Sequence, residues 1–199
     1  RSRMNWIDPV TLRGKHVTLA PLAPEHAPGL IEAVTDGELW KLWYTTIPAP
    51  DKIAAEIERR LGLQKAGSWL PFCVLKDGAP AGMTNYLNIE KAHRRIEIGR
   101  TWYRKSVPRR ALPPAAPLML LGHAFEKLDC IAVEFRTHFF NHQSRRAIER
   151  LGAKLDGILR SHQIAPDGTL RDTCVYSIVA AEWPAVRTHL AWQLAKPRG

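Results

Sequence analysis

Glu97 is the residue of this sequence whose surroundings most directly suggest acid–base chemistry. It is the only acidic residue between Arg94 and Tyr103, a stretch in which Ile96 and Ile98 alternate as in a β-strand. Burial without a partner would raise the pKa of a carboxyl group toward neutrality, where it can accept a proton from a reacting group. An exposed position on an antiparallel sheet would leave an ordinary carboxylate, and the sequence does not choose between the two placements.

Asn141 and Ser144 stand where a short helix is predicted to begin. Residues 145–151 carry apolar side chains at helical spacing, and Gly152 follows where a C-cap glycine belongs. An asparagine before the first turn accepts a hydrogen bond from a free backbone N–H group, which makes Asn141 the predicted N-cap. Ser144 is then the third helical residue, where its hydroxyl either helps to cap the helix or is free for other chemistry.

Tyr176 and a pair of arginines complete the polar candidates. Tyr176 alternates with apolar residues along a predicted strand, 169–180, so its hydroxyl is either a proton donor or a hydrogen-bonded group in the core. Arg109 and Arg110 lie in a proline-rich stretch, 106–117, which cannot be a regular helix or strand throughout. Their guanidinium groups can bind a phosphate or stay solvated on the surface.

Other reactive residues form no recognisable site. His138 and His142 are four residues apart, but a helix is predicted to begin between them, so they are not expected to share a face as metal ligands. The sequence contains no Gly-x-Ser-x-Gly nucleophile motif. Its three widely spaced cysteines include no Cys-x-x-Cys pair, which predicts buried free thiols in a reducing compartment; they are Cys73, Cys130 and Cys174.

The composition indicates one globular domain with an affinity for anions. The 199 residues include 29 lysines and arginines against 19 aspartates and glutamates, a formal charge of +10 with a pI of about 9.9. Hydrophobic residues make up 45% and charged residues 24%, which is typical of a domain with a substantial core. The basic excess suits nucleic acid, a membrane surface or a phosphorylated cofactor. Its arginines occur in scattered pairs rather than in a block, which argues against nucleic acid.

Nothing in the sequence predicts membrane insertion or export. No apolar run approaches the roughly 18 residues of a membrane-spanning helix, and the first residues lack the apolar stretch of a secretory signal. We therefore expect a cytoplasmic protein. Arg1, Ser2 and Arg3 precede the first methionine and are interpreted as an expression remnant. Residues 1–11 are then an N-terminal segment, and residues 12–199 a single domain.

The hydrophobic pattern predicts a mixed α/β (α+β) domain with a mostly antiparallel sheet. The predicted order is β-α-α-β-β-β-loop-α-β-α-β-β-α, and about seven strands are expected in the sheet. The first helix is predicted over 29–43 and the second over 51–65. Asp77-Gly78 between two apolar runs predicts a hairpin turn. One helix joins the predicted strands 94–103 and 131–138, which predicts that these two strands are parallel.

The succession of short motifs resembles the GNAT superfamily of acyl-CoA N-acyltransferases. Within it, the sequence is most similar to the ribosomal-protein-alanine N-acetyltransferases of the RimJ/RimL kind, from about Leu12 to the end of the last strand. The motifs that carry the resemblance are IGRTWY (98–103), HAFE (123–126), AVEF (132–135), NHQS (141–144), ERLGA (149–153) and DGILR (156–160). The resemblance implies a GNAT-like domain whose central sheet opens into a V between its two parallel strands.

The resemblance also implies acetyl-CoA as the acyl donor, and no metal. In similar proteins the donor lies in the V-shaped opening beside the strand that here holds Thr101, Trp102 and Tyr103. A backbone N–H group of that strand polarises the acetyl carbonyl. Asn141 resembles the residue that hydrogen-bonds the pantetheine arm, and Ser144 the residue near the sulfur.

The diphosphate of the donor is implied to bind loop amides at a helix N-terminus. The residues at these positions are Arg109, Arg110, Ala111 and Leu112. The loop departs from the family pattern Gln/Arg-x-x-Gly-x-Gly/Ala, because Pro108, Ala111 and Pro113 occupy its three characteristic positions. The arginine side chains are expected to replace part of the phosphate contacts that the prolines remove.

The implied reaction is direct transfer of the acetyl group to a primary amine in a ternary complex. Glu97 lies where many relatives carry an acid that draws a proton from the amine through water, and Ser144 and Tyr176 are the hydroxyls expected near the leaving thiolate. The acceptor is implied to be a protein N-terminus or a small amine. The aromatic residues predicted to wall its groove are Trp40, Trp43 and Tyr44.

Two alternatives stay open at the level of sequence. The proline-rich loop and the positive charge are also compatible with a degenerate scaffold that binds RNA, a ribosome or another partner, with weak or no CoA binding. An enzyme on the same scaffold could instead transfer another acyl group, such as succinyl. Similar proteins commonly form homodimers, which nothing in the residues demonstrates.

Overall fold

The described residues contain eight β-strands in one mixed sheet. The computed structural model describes residues 6–15, 17–107 and 112–197. The strand bounds are β1 Leu12–Arg13, β2 Thr18–Pro21, β3 Leu70–Lys76, β4 Ala79–Glu90, β5 Arg95–Tyr103, β6 Ala132–His138, β7 Lys154–Ile164 and β8 Leu170–Val179. Their order across the sheet is β1-β2-β3-β4-β5-β6-β8-β7. Only β5 and β6 pair in parallel, as the single helical crossover between them predicts.

Five α-helices of the described chain cover the two faces of this sheet. Their bounds are α1 Ala27–Thr35, α2 Ile53–Lys65, α3 Leu112–Glu126, α4 His142–Arg150 and α5 Trp183–Ala195. Helices α1 and α2 pack beside β3 and β4, while α3 contacts β5, β6 and α5. No described helix has both the length and the apolar character that crossing a membrane requires.

The apolar core lies in two layers, one on each face of the sheet. The larger layer contains Ile96 and Ile98 of β5 and Val133 of β6, packed with residues of α3, α4 and α5. The smaller layer joins α1 and α2 to β3 and β4. Because successive side chains of a strand point to opposite faces, Glu97 and Glu134 face the side of α1 and α2. That face carries the polar side chains described below.

Several predicted local features are confirmed. Asp77 and Gly78 both have positive φ, 51° and 79°, as a tight hairpin turn between β3 and β4 requires. The three cysteines are free and buried. The mixed, mostly antiparallel sheet is also confirmed, but it has eight strands rather than about seven, because the two-residue β1 pairs with β2.

The predicted first helix is wrong at its C-terminal end. Helix α1 stops at Thr35 instead of continuing to position 43. Asp36 is extended, and Gly37 and Glu38 have φ of 91° and 52°, values that a right-handed helix does not allow. Residues 36–49 therefore form an irregular segment, and this segment reaches the end of β6.

Gly82 allows β4 and β5 to approach closely beside the point where their pairing becomes irregular. A Cβ atom at Gly82 would lie 2.1 Å from the carbonyl oxygen of Trp102 and 3.0 Å from the Cα of Tyr103. Backbone atoms of a paired strand cannot move aside as the end of a side chain can. Only glycine fits at this position without separating the two strands.

We predict that Gly82→Ala lowers the free energy of unfolding by about 2 kcal/mol, within the range for overpacked sites. Gly157→Ala is the matched control, because a Cβ atom at Gly157 in β7 would meet nothing within 4 Å. The control should stay within about 0.5 kcal/mol of the parent in urea unfolding. Equal stability of the two variants would contradict this account of the close approach.

Candidate active site

The sheet opens between its two parallel strands. Strands β5 and β6 pair only from Arg95 opposite Ala132 to Glu97 opposite Glu134. Beyond that point β5 continues to Tyr103 and β6 to His138 without pairing with each other. A V-shaped opening results, and Glu97 belongs to the last pair before the strands separate.

Glu97 is buried, which answers the question that the sequence left open. The residue is only 5% exposed, and its Oε1 accepts a hydrogen bond of 2.8 Å from the Nδ2 of Asn88. Its Oε2 lies over Gly99, where a Cβ atom would be 2.9 Å away. Burial raises the pKa of Glu97, and the negative charge of Glu134 raises it further, against the opposing effects of Asn88 and Arg136.

A bulge in β5 follows immediately after Gly99. Met83 pairs with Trp102 and Asn85 with Gly99, so two steps along β4 oppose three along β5. Arg100 takes the extra position with φ of 52°. The bulge changes the alternation of the strand: Trp102 is buried against α1 and α2, whereas Tyr103 packs with the larger core layer.

Thr101 lies inside the bulge and is tied to the neighbouring strand by its side chain. Its hydroxyl is 2.8 Å from that of Thr84, and either oxygen can be the donor. Thr101 and Arg100 have no partner in the β4–β5 pairing. Of the stretch predicted to face the acyl donor, Trp102 and Tyr103 still pair with β4, and only Thr101 lies outside that pairing. The whole stretch lies beyond the last residue pair between β5 and β6.

Asn141 caps α4 as predicted. Its Oδ1 accepts a hydrogen bond of 3.1 Å from the backbone N–H of Ser144, the third residue of the helix. Gly152 follows the helix with φ of 99°, the left-handed conformation of a C-terminal glycine. The helix begins four residues after β6 ends, so Asn141 and half-buried Ser144 lie at the end of β6 that has parted from β5.

Tyr176 joins β8 to α4 from inside the core. The residue is fully buried, and its hydroxyl donates to Oε1 of Glu149 at 2.9 Å and accepts from Nε of Arg145 at 3.0 Å. Burial is the main cause that raises its pKa. The hydroxyl is therefore a hydrogen-bonded group in the core, which is one of the two placements that the sequence allowed. Its part in catalysis stays a prediction.

The irregular segment 36–49 brings aromatic residues to the opening. Trp43 is 55% exposed, and its ring centroid lies 5.2 Å from that of His138 and 6.1 Å from that of Phe140. Tyr44 packs edge-on against Trp43 at 5.6 Å. Trp40, by contrast, packs against the core layer of α1 and α2. Of the three predicted aromatic residues, Trp43 thus packs at the far end of β6, Tyr44 packs on Trp43, and Trp40 belongs to the core layer of α1 and α2.

Sequence reasoning missed three residues on the same face. His138, considered only as a metal ligand, is buried, and its Nε2 has no hydrogen-bond partner among the described residues. Sequence reasoning gave Arg100 no functional role and did not single out Arg171. The alternation of Glu134, Arg136 and His138 along β6 was the available signal, because it indicates a strand with one polar face.

Comparison with known proteins decides the family. Residues 16–154 match the acetyltransferase (GNAT) domain family, which is more than half of the chain. The chain belongs to the GNAT acetyltransferases. It is accordingly an acetyl-CoA-dependent acyltransferase, and the family expected from the motifs is confirmed.

Individual relatives of this GNAT acetyltransferase agree with that assignment. It is 26% identical over 174 residues to YdaF of Bacillus subtilis (strain 168), which is provisionally named a ribosomal N-acetyltransferase; the match covers 85% of this chain and 94% of YdaF. A structure from T. thermophilus, provisionally described as an acetyltransferase, is 32% identical with a TM-score of 0.83, and the match covers 95% of this chain and 99% of the other.

The fold is also that of a ribosomal-protein acetyltransferase solved with coenzyme A. The RimL structure, an L7/L12 α-N-protein acetyltransferase in complex with coenzyme A, has a TM-score of 0.73 at 15% identity, over 85% of this chain and 98% of RimL. At this identity the likeness concerns the fold alone.

The predicted diphosphate site of the GNAT chain falls largely outside the described residues. Pro108, Arg109, Arg110 and Ala111 are not among them, and Leu112 is described only as the first residue of α3. The expected replacement of glycine contacts by two arginines therefore stays a prediction. No group of three or more metal-ligating side chains occurs in the part of the chain that the structure describes.

We predict that Asn141 has two separable roles in this GNAT acetyltransferase. Asn141→Ala removes the cap and should lower the free energy of unfolding by about 1 kcal/mol, whereas Asn141→Asp keeps a capping oxygen and should preserve stability. Both variants lose the amide N–H donor predicted to bind the pantetheine arm, so both should raise the KM for acetyl-CoA. If Asn141→Ala is unstable but neither variant changes the KM for acetyl-CoA, Asn141 only caps the helix.

Proposed function

We propose that this GNAT acetyltransferase transfers the acetyl group of acetyl-CoA directly to a primary amine in a ternary complex. The acceptor is a protein N-terminus or a small amine. The observation that carries the proposal is the buried carboxylate of Glu97, in the last residue pair before β5 and β6 part. A base in this position can receive a proton from an amine that enters the opening from the face of α1 and α2.

Proton removal from the amine is the step assigned to Glu97. Asn88 donates to Oε1, and Oε2 lies over Gly99, with Cδ2 of Leu87 beside it. The amine nitrogen attacks the thioester carbonyl carbon, a C–N bond forms and the C–S bond breaks. The proton lost by the nitrogen passes to Glu97, directly or through one water. The raised pKa of Glu97 brings its basicity nearer to the working pH.

Acetyl-CoA supplies the thioester, and the residues proposed to hold it line the two sides of the opening. On β5 they are the backbone groups from Thr101 to Tyr103, which lie beyond the last pair between β5 and β6. On the other side, the free amides of the first turn of α4 and the side chain of Asn141 favour polar groups of the pantetheine arm. Arg109 and Arg110 are proposed to bind the diphosphate.

Trp43 and Tyr44 are proposed as the outer wall of the acceptor groove. Trp43 is exposed yet touches the end of β6, so an acceptor passing between them would cover apolar surface. Trp40 supports this wall from the core of α1 and α2.

Ser144 is our candidate for relaying a proton from solvent water to the leaving thiolate, so that its hydroxyl takes one proton as it gives one. Its backbone N–H is committed to Asn141, but no described residue forms a hydrogen bond with its hydroxyl. Tyr176, the second predicted hydroxyl, already donates its proton to Glu149. We propose that Tyr176 contributes by positioning α4 through Glu149 and Arg145.

We predict that Glu97→Gln lowers kcat/KM for the amine at pH 7 by about 100-fold or more, the range for loss of a general base. The same variant should be more stable than the parent at pH 8. Because burial raises the pKa of Glu97 above its unfolded value, its contribution to stability is lost as pH rises through that raised pKa, and the neutral glutamine avoids this loss. At pH 4 the two proteins should melt at the same temperature.

Glu90→Gln is the control, because Glu90 is an exposed carboxylate at the end of β4. It should change neither the rate nor the melting temperature. Saturating acetyl-CoA should stabilise all three proteins against heat by mass action. The proposal would be wrong if the parent protein gains no stability from acetyl-CoA or CoA and acetylates no amine. That result would favour a binding scaffold without catalytic activity.

We predict opposite signatures for the two hydroxyl variants. Ser144→Ala should lower kcat without changing thermal stability, since the cap is formed by its backbone. Tyr176→Phe should lower the melting temperature, because Arg145 and Glu149 lose a buried partner. A stable Tyr176→Phe enzyme with a strongly reduced kcat would instead identify Tyr176 as the proton donor. The measurements are single-turnover rates and thermal melts at one pH.

A further inference from the structure

Two arginines on the open face of the sheet have no carboxylate partner. Arg136 of β6 is neutralised, with its Nε 2.8 Å from Oε1 of Glu134 and 3.7 Å from Oε1 of Glu97. Arg100 and Arg171 have no carboxylate within 4.0 Å in the described chain. The residues outside the described ranges include no aspartate or glutamate. The face around the proposed base therefore carries two guanidinium groups that no carboxylate of the described chain contacts.

Arg100 lies on β5, which borders the opening, and Arg171 on β8, the strand next to β6. Arg100 is exposed, and its Nη1 donates to Oγ1 of Thr46 at 2.8 Å. Arg171 of β8 is half-buried, and its Nε donates to Oγ1 of Thr173 at 3.1 Å. Burial lowers its pKa, the positive charges of Arg100 and Arg136 lower it further, and the negative charge of Glu97 opposes them. An anion between such guanidinium groups would relieve their repulsion and replace the water that burial removes.

His138 adds a buried hydrogen-bond donor at the same place. Its Nδ1 accepts the backbone N–H of Phe140 at 3.1 Å, so the neutral ring carries its hydrogen on Nε2. Burial and the charge of Arg171 lower the pKa of this ring, which keeps it neutral. Nε2 is fully enclosed without a partner among the described residues, in a residue 5% exposed. His138 stands opposite Thr173 in the β6–β8 pairing, directly beside Arg171.

A buried donor and two unbalanced guanidinium groups are the elements of a carboxylate site. Buried polar groups are normally paired, so an orphan N–H group indicates a missing acceptor. The ring of exposed Trp43 packs at a steep angle, 78°, against the ring of His138. The site is on the face from which the amine is proposed to reach Glu97.

We infer that the acceptor amine carries a carboxylate, which Arg171, Arg100 and the Nε2–H group of His138 bind while the amine lies at Glu97. The inference rests on the proposed function, which fixes where the amine is. Such an acceptor is either a peptide N-terminus with an acidic side chain close behind it or a free amino acid. The carboxylate belongs to the acceptor rather than to the acyl group, because the chain is an acetyltransferase.

The test compares matched acceptors on the intact protein. Peptides that begin Ala-Glu, Ala-Asp, Ala-Gln or Ala-Lys are supplied with acetyl-CoA, together with free alanine and alanine amide. The acidic peptides, or free alanine, should have kcat/KM values about 10- to 100-fold above their uncharged counterparts, the range for hydrogen bonds to a charged group. A preference among the peptides indicates an acidic side chain as the source of the carboxylate, and a preference for free alanine over alanine amide indicates a free amino acid.

Arg171→Gln should reduce this preference at least tenfold while the reaction with the uncharged acceptor continues. Arg187→Gln on α5 is the matched control, because it removes one exposed positive charge far from the opening and should leave the preference intact. Binding of the acidic and the uncharged peptide in the presence of CoA, measured by calorimetry, gives the same comparison without turnover.

Three results would overturn the inference. Equal rates and equal binding for charged and uncharged acceptors would reject the carboxylate site while leaving the acetyltransferase proposal standing. A preference of the parent for succinyl-CoA over acetyl-CoA that Arg171→Gln abolishes would assign the arginines to the acyl group instead. No acetylation of any amine would reject both the inference and the proposed function. Arg171→Gln should lose at most the contribution of one hydrogen bond, to Oγ1 of Thr173, since the arginine has no carboxylate partner to lose.

Discussion

The separation of β5 from β6 is the constraint on which the candidate site depends. Three residue pairs join the two strands. After the pair of Glu97 with Glu134, each strand remains paired only with its neighbour on the other side. Strand β6 stays paired with β8 as far as His138, while β5 stays with β4 through a bulge at Arg100. Both strands keep their other partners, so the opening leaves unpaired only the backbone groups that face into it. A regular sheet would have filled this space with a continued pairing and left no route to Glu97.

The electrostatics of the opening follow from the same geometry. Alternation along β5, β6 and β8 sends the apolar residues to the α3 side and the charged residues to the other side. Glu97 is the most buried acid of that polar face, and Asn88 and Arg136 only partly compensate its burial. Such a group costs stability at neutral pH, and a protein retains it when its proton affinity is useful. The proposed base and the proposed carboxylate site are thus two consequences of one polar face.

Much of the fold and part of the site could be predicted from the sequence. The Asp77-Gly78 turn, the cap at Asn141 and the parallel pairing of β5 with β6 depend on short-range chemistry or on one rule of connection, and each is confirmed. The first helix was bounded wrongly because its apolar spacing continues past Asp36 and Gly37, where the chain leaves the helix. Gly37, with φ of 91°, was the available signal, whereas the left-handed conformation of Glu38 is not predicted by its residue type. That error affects the site, because residues 36–49, which are not part of the helix, place Trp43 against His138.

The sequence by itself determined the elements, the family and the catalytic candidates, because periodicity, capping residues and ordered motifs are local properties. Tertiary structure alone decided that Glu97 is buried, that the hydroxyl of Tyr176 is bound to Glu149, and that Arg171 and His138 lie side by side. Those residues are far apart in the chain, and the strand order β5-β6-β8 brings them together. A side chain's pKa and its unpaired donors depend on such neighbours, which no spacing along the sequence reveals.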